Sequence, residues 1–180
     1  MKVFIAGARA ISVLDESVQE RLNNIYMKNY TVIVGDASGI DSAVQMFFSD
    51  LNYRNVIVYA SEGKARNNTG NWDIHTVDVP GRSRGFDYYA AKDMAMANDA
   101  DYGFMIWNGE SKGTLNNIIN LLNLDKKSIV YLSTTKEFYN IDGIDELQEL
   151  VNACGQTAKN LLKKIVESSM MSKFQQISLF

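Results

Sequence analysis

Short runs of β-branched and aromatic residues alternate with longer segments of helical period along most of this chain. Such alternation is typical of βαβ units and predicts an α/β fold with an open, mostly parallel sheet. Each run is almost entirely apolar, as expected of strands that helices cover on both faces. The predicted strands are residues 3–6, 31–35, 56–60, 102–107 and 128–132, with a weaker one at 75–79.

The segments between these strands place apolar residues at the spacing of one helix face. The predicted helices cover residues 14–26, 40–51, 86–98, a stretch after Gly113-Thr114, 142–152 and 156–171. A length of 180 residues allows one domain with at most a small appendage. We therefore expect one domain over residues 1–135 and a helical extension over 136–180 that packs on it or on a partner subunit.

Composition removes several classes of function. The net charge of −3 and the pI near 5.2 provide no overall positive field that would attract nucleic acid or an anionic membrane. One cysteine, Cys154, and one histidine, His75, cannot form a zinc finger or a histidine-based triad unaided. Because no apolar stretch approaches the roughly 20 residues of a membrane span, we expect a soluble, cytoplasmic protein without metal, cofactor or membrane partner.

The first candidate motif, Ala6-Gly7-Ala8-Arg9, follows the first strand. Open α/β sheets bind ligands at the carboxyl ends of their strands. Gly7 allows a close approach of the backbone to a ligand, and the Arg9 guanidinium is suited to bind a phosphate. A tight turn with a solvated arginine explains the same residues.

The second motif, residues 34–41, joins a predicted strand to a predicted helix. Backbone N–H groups and the helix dipole make such a junction an anion site. Its candidate ligand-binding residues are Gly35, Asp36, Ser38, Gly39 and Asp41. A plain capped helix start accounts for these residue types equally well.

The third motif, residues 107–114, also lies between a strand and a helix. Its glycines and hydroxyl residues form a cradle suited to phosphate or ribose, although the Walker A order is absent. Lys112 is interpreted either as a ligand contact or as a solvated surface lysine. The candidate residues are Asn108, Gly109, Ser111, Gly113 and Thr114.

Two of these motifs resemble one known family. Residues 35–41 are similar to a GGAxGxD turn, and residues 100–114 are similar to an ADxxxxxWDGxSxGT signature. Both belong to the SLOG superfamily, whose members include the DNA-processing protein DprA, the LOG phosphoribohydrolases and small uncharacterised nucleotide-binding domains. The resemblance covers about residues 1–132.

The resemblance implies a Rossmann-like fold that binds a nucleotide or nucleotide-derived ligand at both glycine-rich turns. It places the ligand contacts on Gly35, Ser38, Gly39, Ser111, Gly113 and Thr114. Lys92-Asp93 stands where relatives often show Arg-Asn, and Arg82 or Arg84 is a candidate phosphate clamp before that helix. Tyr89 or Trp107 is a candidate for stacking on a base, with core packing as the alternative.

Two departures from the family pattern affect the expected chemistry. Catalytic relatives carry a glutamate shortly after the Gly-Thr pair, where this chain has Asn116 and Asn117, and Asn108 replaces an aspartate. Cleavage of an N-glycoside needs a carboxylate, and an asparagine cannot replace it. The leading hypothesis is therefore a protein that senses or sequesters a nucleotide.

Two other hypotheses stay open. One is a nucleoside-monophosphate N-glycoside hydrolase or transferase that uses another carboxylate near the edge, from the set Asp36, Asp41, Asp93 and Glu110. The other is an interaction module without a ligand.

Further expectations concern partners. The acidic pI and the lack of a basic run indicate that nucleic acid is unlikely as a partner. The apolar end, residues 177–180, favours a homodimer or a dimer of dimers, with the loop 61–73 of one subunit covering the site of the other.

Overall fold

One seven-stranded sheet organises the chain. The computed structural model describes residues 1–62, 65–78 and 86–177, with side chains described at 1–62, 65–78 and 89–168. The strands are β1 (Lys2–Gly7), β2 (Thr31–Gly35), β3 (Val56–Ser61), β4 (Asp73–Val77), β5 (Tyr102–Trp107), β6 (Ser128–Leu132) and β7 (Glu137–Ile141). The helices are α1 (Glu16–Met27), α2 (Ile40–Asp50), α3 (Phe86–Asp99), α4 (Lys112–Asn123), α5 (Ile144–Ala153) and α6 (Gln156–Ile177).

The order of the strands determines where a ligand can enter. The sheet runs β4-β3-β2-β1-β5-β6-β7, and the strands are parallel except for β7, which pairs antiparallel with β6. The chain builds outward from β1 to β4 and then returns to the other side of β1 with β5. The gap between the carboxyl ends of β1 and β5 is thus a topological switch point, where open α/β sheets bind ligands.

The alternating side chains of the strands supply two cores, one on each face of the sheet. In β1, Phe4 points to the core formed with α3 to α6, whereas Ile5 points to the core formed with α1 and α2. Both side chains are fully buried. The predicted open α/β sheet with helices on both faces and additional C-terminal helices is confirmed.

Two elements differ from the prediction. β7 lies at residues 137–141, inside the stretch predicted as a helical extension, and β4 begins two residues before the predicted strand. In addition, α4 begins at Lys112, so Gly113 and Thr114 belong to its first turn. Within the described part of the chain, no helix is long and apolar enough to cross a bilayer.

The loop between β3 and β4 folds onto its own chain. The Arg66 backbone N–H donates to Asp36 Oδ2 at 3.1 Å, and Asn67 Nδ2 donates to the Asp36 carbonyl at 3.1 Å. Gln45 Nε2 holds the loop from α2 through the Asn67 carbonyl, at 3.2 Å. Of the apolar end that suggested a dimer, residues 178–180 lie outside the described residues.

Candidate functional site

A cleft of about 430 Å³ opens at the switch point between β1 and β5. The loop after β1, the first turns of α4 and one face of α3 form its walls. Nine predicted site residues line it: Gly7, Arg9, Asp41, Tyr89, Lys92, Asn108, Ser111, Gly113 and Thr114. The three motifs therefore converge on one site, as the parallel topology requires.

The other predicted site residues lie behind the cleft or beyond the described chain. Gly35, Asp36, Ser38, Gly39 and Gly109 are outside the lining of the cleft, and Arg82 lies outside the described residues. Gly35 is needed because a Cβ there would collide with the Asp41 carboxylate and lie 3.1 Å from Lys92 Nζ. Its small size makes room for a group of buried charges.

Asp36 is the centre of that charged group. Its Oδ1 accepts hydrogen bonds from Lys92 Nζ at 2.6 Å and Arg66 Nη2 at 2.7 Å, and its Oδ2 accepts one from Arg66 Nε at 3.0 Å. Burial alone would raise the pKa of Asp36, but the bonds from Arg66 and Lys92 hold it well below its usual range. Asp36 is therefore ionised at neutral pH, where it pairs with Lys92 and Arg66 and does not exchange a proton.

Asp41 and Asp93 behave in the opposite way. Burial raises the pKa of Asp41 to about 6 and that of Asp93 to about 7, although the Lys92 ammonium opposes both shifts. Asp41 Oδ2 accepts from the Ala37 N–H at 3.1 Å, and the nearby Asn117 side chain lowers the pKa of the Asp93 carboxyl group. The cleft thus contains two carboxyl groups that titrate near neutral pH, a property that clusters at functional sites.

The pKa of Asp93 makes stability depend on pH. The folded protein retains a proton that the unfolded chain, with an ordinary value of 3.8, releases. This contribution to stability is full below about pH 4 and is lost as the pH rises toward 7. Asp93→Asn mimics the neutral acid, so we expect its Tm to exceed that of the wild type at pH 8 and to approach it at pH 4. Asp50→Asn, at an exposed position of α2, is the control, and an equal Tm difference at both pH values would contradict the assignment.

The first turn of α4 forms an open wall. Ser111 is the N-cap, and its Oγ accepts from the Thr114 N–H at 3.3 Å. Asn108 Oδ1 accepts from the N–H groups of Glu110 at 3.1 Å and Ser111 at 2.9 Å, so these side chains build the turn. Apart from its chain neighbours and the backbone of its own helix, no described atom lies within 4 Å of a Cβ placed on Gly113. Its N–H has no acceptor among the described residues, as is usual for the first turn of a helix.

The loop after β1 is held in place by Gly39. This residue has φ +79°, and a Cβ on it would collide with the backbone of Arg9. We expect Gly39→Ala to lower the free energy of unfolding by about 1–3 kcal/mol, since both strain and overlap oppose it. Gly113→Ala is the matched control, because its Cβ enters open space. Equal urea midpoints for the two variants would show that the Arg9 loop moves aside without loss of stability, against this prediction.

Arginine and tyrosine side chains surround the mouth of the cleft. The guanidinium carbons of Arg9 and Arg66 lie 4.8 Å and 5.2 Å from the centroid of the Tyr89 ring. Trp107 is fully buried and donates its Nε1–H to the Ser111 carbonyl at 3.0 Å, so it cannot stack on a bound base. Arg66 and Asn117 were not among the predicted site residues, and Asp93 was predicted only as one of the carboxylates open to the hydrolase hypothesis.

The Gly109 turn rests on the C-terminal helices. Gly109 has φ +78°, and a Cβ there would lie 3.4 Å from Cys154 Cβ and 3.5 Å from its Sγ. Burial raises the pKa of the Cys154 thiol to about 11, so the thiol is protonated at neutral pH. Cys154 therefore packs behind the loop and has no part in the chemistry of the cleft.

Neither protein-family models nor curated proteins give a significant match to this sequence. Solved structures do. DNA processing protein A (DprA) from Helicobacter pylori, described for its single-stranded DNA binding mode, aligns with TM-score 0.58 and 14% identity over 93% of this chain and 81% of its own. DprA from Streptococcus pneumoniae aligns with TM-score 0.52 and 15% identity over 72% of this chain and 49% of its own. This chain therefore spans about half of the pneumococcal protein.

These neighbours overturn one expectation. The prediction that nucleic acid is an unlikely partner is wrong as an exclusion, because a structural neighbour is a single-stranded DNA-binding protein. An acidic pI describes the whole surface and does not report the charge at one edge of a sheet. The chain shares the Rossmann-like fold of the DprA structures, which is the fold that the sequence resemblance implies.

Proposed function

We propose that this chain binds a nucleotide in the cleft, with the phosphate at the first turn of α4, as a sensor or a sequestering protein. The observation that carries the proposal is the open wall at Gly113, which lines the cleft and where a Cβ would meet no atom from outside its own turn of α4. Unpaired N–H groups and the helix dipole stabilise an anion at such a position. Arg9 lines the same cleft and is suited to form charge-assisted hydrogen bonds with a phosphate.

The dimensions of the cleft support a small ligand. Its volume of about 430 Å³ falls within the range of roughly 300–1,000 Å³ for small-molecule sites. Tyr89 lines the cleft with the guanidinium carbons of Arg9 and Arg66 at 4.8 Å and 5.2 Å from its ring centroid, so a base that enters the cleft would meet this group of side chains. These features suit a phosphate at one end of the ligand and an aromatic group at the other.

Thermal unfolding with nucleoside mono- and diphosphates and cyclic nucleotides tests the proposal. A ligand at 100 times its Kd is expected to stabilise the protein by about 2.7 kcal/mol, which gives a clear rise in Tm. Arg9→Ala should weaken binding roughly 10- to 150-fold, the loss of one charge-assisted contact worth roughly 1.5–3 kcal/mol. Arg54→Ala, exposed before β3 and outside the cleft lining, should leave binding unchanged. Failure of every nucleotide to raise the Tm would refute the proposal.

The hydrolase hypothesis is tested by the same mixtures. Asp93, with a pKa raised to about 7 by burial, is the carboxyl group best suited to proton transfer in the cleft. Chromatography would then show release of the free base, which Asp93→Asn abolishes. Intact nucleotide after long incubation supports binding alone.

A second candidate function is single-stranded DNA binding, favoured by the structural similarity to H. pylori DprA. The Gly113 wall would then hold one backbone phosphate of a strand. Fluorescence anisotropy with a labelled oligothymidylate distinguishes the two functions. Affinity that grows with strand length, falls with salt and resists competition by mononucleotides supports DNA binding.

A further inference from the structure

Asn117 carries an unpaired acceptor in the wall of the cleft. Its side chain is buried, and Oδ1 has no hydrogen-bond partner among the described residues. The only other such buried side-chain atom in the described chain, Ser128 Oγ, lies at the start of β6, away from the cleft. A buried acceptor without a donor costs about 1–3 kcal/mol, so a ligand that supplies the donor recovers this free energy.

A second acceptor lies beside it. Asp93 of α3 is close enough to Asn117 of α4 for the Asn117 side chain to lower the pKa of its carboxyl group, against the larger effect of burial. Both residues line the cleft. The Asp93 carboxyl group has acceptor capacity in both protonation states, because a carboxylate accepts about four hydrogen bonds and the neutral acid still accepts through its oxygens. The ligand must therefore offer two neighbouring donors at this point, and a phosphate has none.

The position along α4 selects between the donors of a nucleotide. Asn117 follows Gly113 by four residues, which places it on the same face about 6 Å further along the helix axis. With the phosphate at Gly113, the sugar hydroxyls are the nucleotide donors closest to Asn117, whereas the donors of the base lie farther from the phosphate. A vicinal diol also matches two adjacent acceptors.

We propose that Asp93 and Asn117 recognise the 2′- and 3′-hydroxyls of a ribose, so that the cleft selects ribonucleotides over 2′-deoxyribonucleotides. This inference rests on the proposed nucleotide binding and adds the class of sugar. A 2′-deoxy ligand again leaves one of the two acceptors buried and unpaired. Sites built to bind a hydroxyl group discriminate strongly against analogues that lack it.

Isothermal titration of the wild-type protein tests the selection directly. The probes are the four ribonucleoside 5′-monophosphates with their 2′-deoxy counterparts, and ribose 5-phosphate with 2-deoxyribose 5-phosphate. We expect each ribo probe that binds to do so at least tenfold more tightly than its deoxy partner. Equal affinities overturn the inference and leave the proposed function intact, whereas absence of binding by every probe refutes both.

Two variants in α4 test which residue is responsible for the preference for ribonucleotides. Asn117→Ala removes the acceptor, and the ribo-to-deoxy affinity ratio should fall toward one. Asn116→Ala changes the same residue type one position earlier in α4, outside the cleft lining, and should keep the wild-type ratio. A ratio that Asn117→Ala leaves unchanged overturns the assignment to Asn117. If that variant does not fold, Asp93→Ala removes the second acceptor on α3, and the ratio should likewise fall toward one.

Discussion

Asp36→Asn is expected to lower the free energy of unfolding by about 3–5 kcal/mol, because it removes one partner of a buried ion pair. Lys92 Nζ lies 2.6 Å from Asp36 Oδ1, and both side chains are 4% exposed. Without the carboxylate, the Lys92 ammonium remains buried with only the partly protonated Asp41 and Asp93 nearby. Urea denaturation at pH 7 measures the loss.

A second lysine–aspartate pair provides the control. Lys127 and Asp142 approach to 2.7 Å at the surface, with side chains 68% and 48% exposed. Asp142→Asn should cost no more than about 1 kcal/mol, as is usual for exposed pairs. The double variant Asp36→Asn with Lys92→Met should lose less than the two single losses added together. Equal losses for Asp36→Asn and Asp142→Asn would refute the structural role of Asp36.

The ion pair of Asp36 with Lys92 also makes the stability of the fold depend on pH in the acid range. Burial alone would raise the pKa of Asp36, but hydrogen bonds from Arg66 and Lys92 lower it on folding. Its contribution is therefore present above the ordinary value of 3.8 and is lost as the pH falls below it. The difference in stability between wild type and Asp36→Asn should shrink in acid.

Gly113→Leu is expected to weaken nucleotide binding at least a hundredfold and to leave folding intact. The new side chain would occupy the space that we assign to the phosphate, and its Cβ would meet no described atom from outside its own turn of the helix. Leucine is also a better helix former than glycine by roughly 0.5–1 kcal/mol, so the Tm should hold or rise slightly. Titration and thermal unfolding of one preparation give both values.

Gly113→Ala completes the series. Its single methyl group should reduce affinity less than leucine does, so affinity should decrease in the order glycine, alanine, leucine. Wild-type affinity in Gly113→Leu would show that the phosphate binds elsewhere. Lost affinity together with a lower Tm would instead indicate a folding defect.

The sequence predicts the central strands well because each is a continuous apolar run that both helical layers bury. β7 was missed because its partly exposed pattern, Glu137 to Ile141, lacks that run. Its hairpin also turns through Lys136 with φ 61°, a conformation usually signalled by glycine or asparagine. The residue types around Lys136 therefore do not predict the turn.

The sequence predicts only part of the candidate site. Strand ends identify Gly7, Asn108 and Gly113, since parallel topology alone brings these positions to one edge. The pairing of Asp36 with Arg66 joins residues 30 positions apart through a loop without regular structure. The environment of Asp93 likewise depends on the packing of α3 against α4, which periodicity does not specify. Charge pairing of this kind follows from the tertiary fold.

Cys154 lies next to the Gly109 turn, so it is a natural labelling site for a spectroscopic probe of that turn. Since the chain has one cysteine, a thiol-reactive fluorophore attaches at one place without any substitution. The dye would lie directly behind the loop that leads into α4, so its emission would report on ligand-dependent motion there. The high pKa of the thiol makes mildly alkaline labelling preferable, because the thiolate is the reacting form.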